Sequence, residues 1–330
     1  MPAPLGPLSR EAAERPVTSS ARQYDRRVVA APPIEAVRLS KTYGRDVRAL
    51  VDLDLRVERG EVFGYLGPNG AGKSTTIRLL LDLIHPTSGH VALFGHDSRS
   101  DGVEARRRVG YLPGDLRLPD RPTASEYLAS LARLRGDVDE VRRDELCERL
   151  GVVLGRPLRQ LSKGNRQKVG LVQAFMHRPE LVVLDEPTAG LDPLLQAEVR
   201  AVLRDVAAEG GAVFLSSHSL DEVQHTADRV GIIRSGRLVD VDSVEGLRTR
   251  SLRHVTVTFT EAVDPSELAG ADGVRISRVE GPQIRMTAPE TAMDALVKVL
   301  ARHTIVDLVS EPADLEEIFL ELYEEVDGAA

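Results

Sequence analysis

One stretch limits the possible folds of this chain more than any other, and it consists of Gly67, Pro68, Asn69, Gly70, Ala71, Gly72, Lys73, Ser74 and Thr75. It matches the phosphate-loop pattern, in which a glycine, four residues and a second glycine precede a lysine and a serine or threonine. The glycines let the backbone curl so that several N–H groups point at one anion. Lys73 adds a charge for the β- and γ-phosphates, and the Ser74 hydroxyl can ligate Mg²⁺. We therefore predict that the chain binds a nucleoside triphosphate.

The residues on both sides of this loop have the pattern that such a site requires. Glu61–Leu66 is a short, mostly apolar run, which is typical of a buried strand. Ser74–Leu83 follows as a predicted helix whose N-terminus would face the phosphates. A strand, a glycine-rich loop and a helix in this order favour a nucleotide site over a turn that fits the pattern by chance.

Composition excludes several other classes of protein. The 43 basic and 51 acidic residues give a net charge of −8, so no global basic field attracts DNA or RNA. The single cysteine, Cys147, excludes a disulfide framework and a cysteine-based zinc site. The longest apolar runs, such as Leu181–Leu184, are far shorter than the ~20 residues that cross a bilayer. We find no secretory signal at the N-terminus, and we expect the chain to reach a membrane only through a partner.

The N-terminal third is predicted to begin with a disordered leader and continue as an antiparallel sheet. Residues 1–33 contain six prolines and no apolar periodicity, which indicates disorder. Ile34–Leu39 and Val51–Val57 alternate apolar and polar residues, as strands with one solvated face do. Tyr43, in the turn between them, either stacks on a purine ring or is an ordinary surface tyrosine. Further strands are predicted over His90–Phe94 and Arg108–Leu112.

A helical insertion is predicted next. One helix covers Glu126–Arg135, with Thr123 or Ser125 as its N-cap, and a second covers Asp139–Leu150. Another helix is expected over Val169–Met176. These segments interrupt what otherwise reads as an α/β domain.

Two carboxylates follow the apolar run Leu181–Leu184. Four apolar residues without alternation favour a central parallel strand, and Asp185 and Glu186 lie at its carboxyl end. Ligands of open α/β sheets gather at that edge. Together with a phosphate loop, Asp185 is predicted to hold Mg²⁺ through water, and Glu186 to orient or deprotonate the attacking water.

A histidine follows the next predicted strand. Asp192 caps a predicted helix with Pro193 at its first position, and Ala212–Ser216 then reads as a buried strand. A histidine after a strand is usually structural. Because this strand is expected to lie beside the one that ends in Asp185, we interpret His218 as a residue within reach of the γ-phosphate.

These residues form five ordered motifs that resemble the ATPase subunits of ATP-binding-cassette (ABC) transporters, of the bacterial drug or multidrug exporter type. The resemblance covers about residues 34–245. Its most specific part is the signature, and the motifs are the loop at 67–75, Leu161-Ser162-Lys163-Gly164-Asn165-Arg166-Gln167, Leu181–Glu186, Ala189-Gly190-Leu191-Asp192 and His218.

The resemblance implies an α/β phosphate-loop cassette, with a RecA-like core, an antiparallel β subdomain and a helical subdomain over about 115–178. It implies ATP and Mg²⁺ as ligands, the metal being held by Ser74 and Asp185. It also implies a head-to-tail homodimer or heterodimer, in which Ser162 and Gly164 of one subunit contact the ATP held by the Lys73 of the other. In that arrangement Tyr43 stacks on adenine and Asp192 bridges the two sites.

One loop departs from the family pattern. Transport cassettes usually carry a glutamine after the strand at 108–112, where this chain has Gly114 followed by Asp115. Either Asp115 substitutes through a water, or the loop keeps only a mechanical contact with a membrane partner. A Tyr-Leu-Pro-Gly-acid run is similar to that of some bacterial drug exporters, so we do not interpret the departure as a loss of activity.

A second, small α+β unit is predicted over residues 250–330. Its expected strands are His254–Thr260, Val274–Val279, Gln283–Thr287 and Thr304–Ser310, and its expected helices are Met293–Arg302 and Asp314–Tyr323. It contains no catalytic constellation. It resembles the C-terminal appendage of bacterial export ATPases, whose role in dimer contact or regulation is an analogy only.

The sequence thus predicts an ATPase that powers export through a separate membrane permease, at the cytoplasmic face of a bacterial membrane. One alternative is a soluble cassette ATPase that acts on ribosomes or DNA, although the single cassette and the negative charge disfavour it. Another is a regulator that binds nucleotide without hydrolysing it, which Glu186 disfavours. A neighbouring gene with about six hydrophobic spans would select the transporter. The transported substrate cannot be predicted, because the permease contacts it.

Overall fold

A computed structural model describes residues 31–136, 138–250, 252–268 and 273–312. Its strands are, in chain order, β1 (Ile34–Tyr43), β2 (Val47–Val57), β3 (Val62–Leu66), β4 (Ser88–Leu93), β5 (His96–Asp97), β6 (Val109–Leu112), β7 (Leu181–Asp185), β8 (Ala212–Ser217), β9 (Arg229–Arg234), β10 (Arg237–Ser243), β11 (Leu252–Phe259), β12 (Arg275–Glu280), β13 (Gln283–Pro289) and β14 (Ile305–Pro312).

The α-helices of the same residues are α1 (Lys73–Leu80), α2 (Gly102–Arg107), α3 (Ala124–Arg135), α4 (Glu140–Arg149), α5 (Lys163–Phe175), α6 (Pro193–Ala208), α7 (Leu220–Thr226), α8 (Val244–Arg250), α9 (Pro265–Leu268) and α10 (Met293–Leu300). Single turns of 3-10 helix cover Leu158–Gln160 and Glu290–Ala292. In the part of the chain that the structure describes, no helix is long and apolar enough to span a membrane.

Six strands form the central sheet, in the order β10-β9-β3-β8-β7-β6. All neighbours are parallel except β10, which pairs antiparallel with β9. Every residue of β3, β7 and β8 is buried, as expected for parallel strands that are covered on both faces. The carboxyl ends of these three strands lie side by side, and the residues that follow them form the candidate site.

A four-stranded antiparallel sheet, in the order β2-β1-β4-β5, shares one hydrophobic core with the central sheet and α1. The predicted alternation holds in β2, where Leu53, Leu55 and Val57 are buried while Asp54 and Arg56 between them are exposed. The phosphate loop therefore follows a buried parallel strand, β3, and lies against β2 of the half-exposed antiparallel sheet.

The helices of the predicted insertion belong to a second core with α5, α6 and α7. Thr123, not Ser125, is the N-cap of α3, because its hydroxyl and the Glu126 side chain form a reciprocal capping box. Asp139 caps α4, which buries Leu146 and Cys147. The helices predicted over Glu126–Arg135 and Asp139–Leu150 are confirmed, with shifts of one or two residues at their ends.

The third sheet is antiparallel, in the order β12-β13-β11-β14, and has a core of its own with α10. The predicted strands are confirmed, and β14 extends to Pro312. The predicted helix over Asp314–Tyr323 and residues 1–30 of the predicted leader lie outside the described residues. The domain limits at residues 33, 245 and 250 remain predictions.

Several elements differ from the sequence interpretation. Helix α1 ends at Leu80, three residues early, and Asp82 just beyond it adopts a left-handed φ of 55°. Helix α5 begins at Lys163, directly after its N-cap Ser162 and six residues before the predicted start at Val169, so the signature residues from Lys163 onward form its first turns. The β9–β10 hairpin and the short helices α2, α7 and α8 had no predicted counterpart.

Candidate active site

The phosphate loop needs glycine at two positions for different reasons. Gly72 has φ 115°, which only glycine adopts readily, and a Cβ there would lie 2.8 Å from the Ala49 carbonyl oxygen. A Cβ at Gly67 would lie 2.4 Å from the carbonyl oxygen of Ile233. The loop is thus packed so closely against β2 and β9 that larger residues would displace its backbone.

A backbone hydrogen bond fastens the phosphate loop to the turn between β9 and β10, and another fastens that turn to β2. The Gly236 N–H donates to the Ala71 carbonyl at 2.9 Å, and the Val51 N–H donates to the Gly236 carbonyl at 2.8 Å. Gly236 therefore connects the phosphate loop to the antiparallel sheet. The Ser235–Gly236 pair between two runs rich in apolar residues was the sequence signal for this hairpin.

The Lys73 ammonium bridges the loop and the end of β7. It donates to the carbonyl oxygens of Gly67 at 2.6 Å and Pro68 at 3.2 Å, and it lies 3.8 Å from Glu186 Oε1. Burial lowers the pKa of Lys73, against the opposing effect of Glu186 and Asp185. A phosphate in the loop would offer this ammonium stronger, charge-assisted partners than the carbonyls do.

Asp185 offers an oxygen donor in a confined space. It is 7% exposed, and its Oδ1 accepts a hydrogen bond from Ser216 Oγ at 2.5 Å. A Cβ at Gly114 would lie 3.1 Å from Oδ2, so the glycine leaves room beside that oxygen. Mg²⁺ in nucleotide sites is bound by one or two protein oxygens together with substrate phosphates. The donor set of Ser74 and Asp185 fits that requirement.

The Asp115 side chain is exposed and engaged in an ion pair. Its carboxylate is 75% exposed and pairs with Arg117, the Oδ2–Nη2 distance being 2.9 Å. In this conformation Asp115 therefore does not replace the missing glutamine, whereas Gly114 is the loop residue beside Asp185.

Glu186 has an unusual backbone conformation for its residue type. Its φ of 51° lies in the left-handed region, which costs a residue with a side chain about 1–2 kcal/mol. Its N–H approaches both the carbonyl oxygen and the Oγ of Ser216, at 3.2 and 3.3 Å. The sharp turn after β7 aims the carboxylate toward Lys73 and leaves its side chain 28% exposed.

His218 contacts Glu186 directly. Strands β7 and β8 are parallel neighbours, as predicted, and the His218 Nδ1 to Glu186 Oε1 distance is 3.1 Å. An ionised carboxylate can only accept, so this contact assigns the proton of the neutral imidazole to Nδ1. The ring thereby orients the Glu186 carboxylate. Its other nitrogen, Nε2, then has a lone pair that can accept a hydrogen bond.

The other predicted site residues have different surroundings. Tyr43 ends β1, is 39% exposed, and has the Lys41 ammonium 5.2 Å from its ring centre.

Ser162 is the N-cap of α5 and accepts from the Asn165 backbone N–H at 3.3 Å. Asp192 caps α6 by accepting from the Leu195 N–H at 3.0 Å. A Cβ at Gly164 would lie 3.5 Å from the Gly190 carbonyl oxygen. Their roles in a dimer remain predictions.

The sequence interpretation missed a second layer of polar residues behind the carboxylates. Gln167 donates to the Pro187 carbonyl at 3.1 Å. Ser216 supports both Asp185 and Glu186, as described above. The remaining members are Thr188 and Ser217, whose hydroxyls both donate to the Glu222 carboxylate. Serines and threonines at strand ends are too common to be singled out without knowledge of the neighbouring strand.

Comparison of the sequence with a family model and with known proteins identifies relatives of this chain. The model described as ABC transporter matches residues 50–189. The bacitracin transport ATP-binding protein of Bacillus licheniformis is 36% identical over 231 residues, which cover 69% of this chain and 75% of that protein. The daunorubicin/doxorubicin resistance ATP-binding protein of Streptomyces peucetius is 35% identical over 306 residues, or 88% and 92% of the two chains.

The solved structures confirm the predicted fold class. The structure of an ATP-binding subunit of an ABC transporter matches with a TM-score of 0.61 and 30% identity, over 65% of this chain and 91% of that one. Lys73, Glu186 and His218, three of the predicted site residues, lie close together at the carboxyl edge of the central sheet. The chain therefore belongs to the ABC transporter family, in which it is the subunit that binds and hydrolyses ATP.

Proposed function

We propose that this ATPase works through Lys73, Asp185, Glu186 and His218 and powers the export of a drug or antibiotic through a separate permease. One observation carries the assignment of the site. Lys73, from the phosphate loop, lies 3.8 Å from the same Glu186 oxygen that His218 contacts at 3.1 Å. Three residues that are distant in sequence thus meet where the γ-phosphate of a bound ATP would lie.

The proposed reaction is the attack of water on the γ-phosphorus. Glu186 accepts a proton from the water, the water oxygen bonds to phosphorus, and the bond to the bridging oxygen of ADP breaks. Lys73 and the N-terminus of α1 bind the phosphate oxygens. His218 holds the Glu186 carboxylate in place. Mg²⁺, when bound by Ser74 and Asp185, neutralises phosphate charge.

The family and the named relatives support a proposal for the partners and the cargo. We infer a head-to-tail dimer, with a second copy or a similar chain, that sits on a permease at the cytoplasmic face of the membrane. Two relatives are named for bacitracin transport and for daunorubicin/doxorubicin resistance. An antibiotic or other drug is therefore the cargo class to test first.

Lys73→Ala tests the site, with Lys298→Ala as the matched control, because Lys298 is exposed and pairs with Asp294 within its own helix. We expect Lys73→Ala to lose ATP affinity in titration calorimetry, or turnover, while the control keeps both. EDTA should stop turnover of the unaltered protein. Unchanged affinity and rate in Lys73→Ala would contradict the assignment.

Vesicles test the transport step. Everted vesicles that contain the chain and its co-expressed permease partner should accumulate daunorubicin or bacitracin when ATP is added. Vesicles with Lys73→Ala should not. ATP-driven loss of the drug from the vesicle lumen would contradict export as the direction.

A further inference from the structure

Glu222, on α7, connects the two loops that carry the reactive residues. Its Oε1 accepts a hydrogen bond from Thr188 Oγ1 at 2.5 Å, and its Oε2 accepts one from Ser217 Oγ at 2.6 Å. Thr188 lies two residues after Glu186, and Ser217 directly precedes His218. One carboxylate thus bonds to both segments between which the Glu186–His218 contact is made.

The position of Glu222 is fixed by the packing of its helix. Val223 lies so close to β3 that a Cβ at Gly64 would be 2.5 Å from its Cγ1. Ser219 caps the helix, and its N–H donates to Ser217 Oγ at 2.9 Å. Helix α7 therefore cannot shift along β3 without breaking contacts on both sides of Glu222.

The other side of the 186–188 segment is held as well. Gln167, buried in α5, donates to the carbonyl oxygen of Pro187 at 3.1 Å. The segment is thus fixed between α5 and Glu222, and the left-handed turn at Glu186 lies within it. A strained conformation persists only where its surroundings fix it in this way.

We propose that Glu222 is a positioning residue for ATP hydrolysis, which holds Thr188 and Ser217 so that Glu186 and His218 stay in contact. An ionised carboxylate can accept from both hydroxyls at once, whereas an amide has one acceptor oxygen and one donor group. Burial raises the pKa of Glu222 while the two hydroxyls oppose this rise, so the hydroxyls stabilise the charged form. The proposal rests on the assigned roles of Glu186 and His218.

Glu222→Gln tests the proposal, with Asp221→Asn as the matched control. Asp221 is the preceding residue, its side chain is 80% exposed, and the change removes the same charge. Since small displacements of reacting groups cost up to about 10²-fold in rate, we expect kcat to fall about tenfold to a hundredfold in Glu222→Gln. The affinity for MgATP, measured with a fluorescent ATP analogue, should stay within about twofold of that of the unaltered protein. A kcat within twofold of the unaltered value would overturn the proposal.

A double substitution separates positioning from a general loss of structure. Thr188→Val removes one of the two hydroxyl donors and preserves the shape of the side chain. If both residues act through the same bond, Glu222→Gln combined with Thr188→Val should be no slower than the slower single variant. Multiplied losses, or a loss of ATP affinity together with kcat, would mean that Glu222 only stabilises the fold.

A parallel measurement on Glu186→Gln separates this proposal from the proposed function. If Glu186→Gln turns over ATP normally, the assigned base is wrong, and so is any role of Glu222 in positioning it. If Glu186→Gln is inactive while Glu222→Gln is fully active, the assigned base stands and only the role of Glu222 is overturned.

Discussion

At the scale of single residues, Glu186 is the proposed general base, and its substitution tests the mechanism directly. Glu186→Gln keeps the shape of the side chain but removes the group that accepts the proton. We expect ATP affinity to stay nearly unchanged and turnover to fall by at least ~10²–10⁴, as is typical when a general base is lost. Size-exclusion chromatography should reveal an ATP-bound dimer. Near-normal turnover would mean that another group activates the water.

The exposed loop after β6 gives a contrasting prediction. Because the Asp115 carboxylate is exposed and pairs with Arg117, Asp115→Ala should leave the ATPase rate of the purified subunit within about twofold of that of the unaltered subunit. If the loop contacts the permease, coupled transport in vesicles should weaken instead. Arg117→Ala removes the same ion pair and serves as the control. Loss of the basal ATPase rate in a folded Asp115→Ala protein would instead support the alternative that Asp115 substitutes for the missing glutamine through a water.

The residues that the sequence revealed and those that it hid differ in one respect. Lys73, Asp185 and Glu186 belong to local patterns, a glycine-rich loop and a strand with two terminal carboxylates. Ser216 and Glu222 act through neighbours on other elements, namely Asp185 on β7 and Thr188 after it. A single sequence does not contain that pairing until the strand order is known.

At the scale of elements, ion pairs connect the residues that precede β3, β6 and β7 in the central sheet. Glu180, just before β7, bonds to the Arg108 guanidinium through two contacts of 2.6 Å, and also to Arg59 at 3.0 Å. The bonds from Arg108, then Arg59, hold the pKa of Glu180 at about 2, below its ordinary 4.5. The charged form is thus favoured by folding.

Glu180→Gln should therefore destabilise the protein in a pH-dependent way. A depressed pKa contributes stability above pH 4.5, and that contribution is lost as the pH falls toward 2. Because the carboxylate is 43% exposed, we expect only about 1 kcal/mol at pH 7. Urea denaturation of the unaltered protein and of Glu180→Gln, at pH 7 and at pH 3, measures this difference in the free energy of unfolding. Glu209→Gln, at an exposed position, is the control. A difference in stability that is as large at pH 3 would contradict the electrostatic origin.

Elements were predictable where their pattern was long or capped. The alternating strands β1 and β2, and the helices capped by Thr123, Asp139 and Asp192, were identified from the sequence. The short helices α2 and α7 were not, because their six and seven residues span less than two helical turns, and the β9–β10 hairpin was not identified either. Tertiary contacts, such as the bond from Gly236 to the phosphate loop, hold the hairpin in place.

At the scale of the whole molecule, we expect each active site to be shared by two chains. Ser162 caps the N-terminus of α5, which belongs to the predicted helical subdomain and not to the phosphate loop, and a helix N-terminus favours an anion. A second chain rotated head to tail would supply one. Ser162→Arg should leave a monomer that binds ATP but does not hydrolyse it. Static light scattering with MgATP, together with phosphate release, measures both properties.

The dependence of the rate on protein concentration completes this test. In the unaltered protein the rate per chain should rise with concentration as dimers form. A Ser162→Arg protein with the unaltered rate per chain at every concentration would exclude the shared site. Ser125→Arg, a surface serine at the start of α3, is the matched control for the added charge and bulk.

The single thiol of the chain has a practical consequence for observing such a dimer. Cys147 is buried, and burial raises its pKa to about 11, so only about 1 in 10⁴ thiols is ionised at pH 7. We expect maleimide to modify it within minutes in urea but hardly at all in the native protein, as mass spectrometry would reveal. Rapid native labelling would contradict that burial. The unaltered chain is then a ready background for spectroscopic labels, because a cysteine introduced at the exposed Lys163 would be the one that reacts.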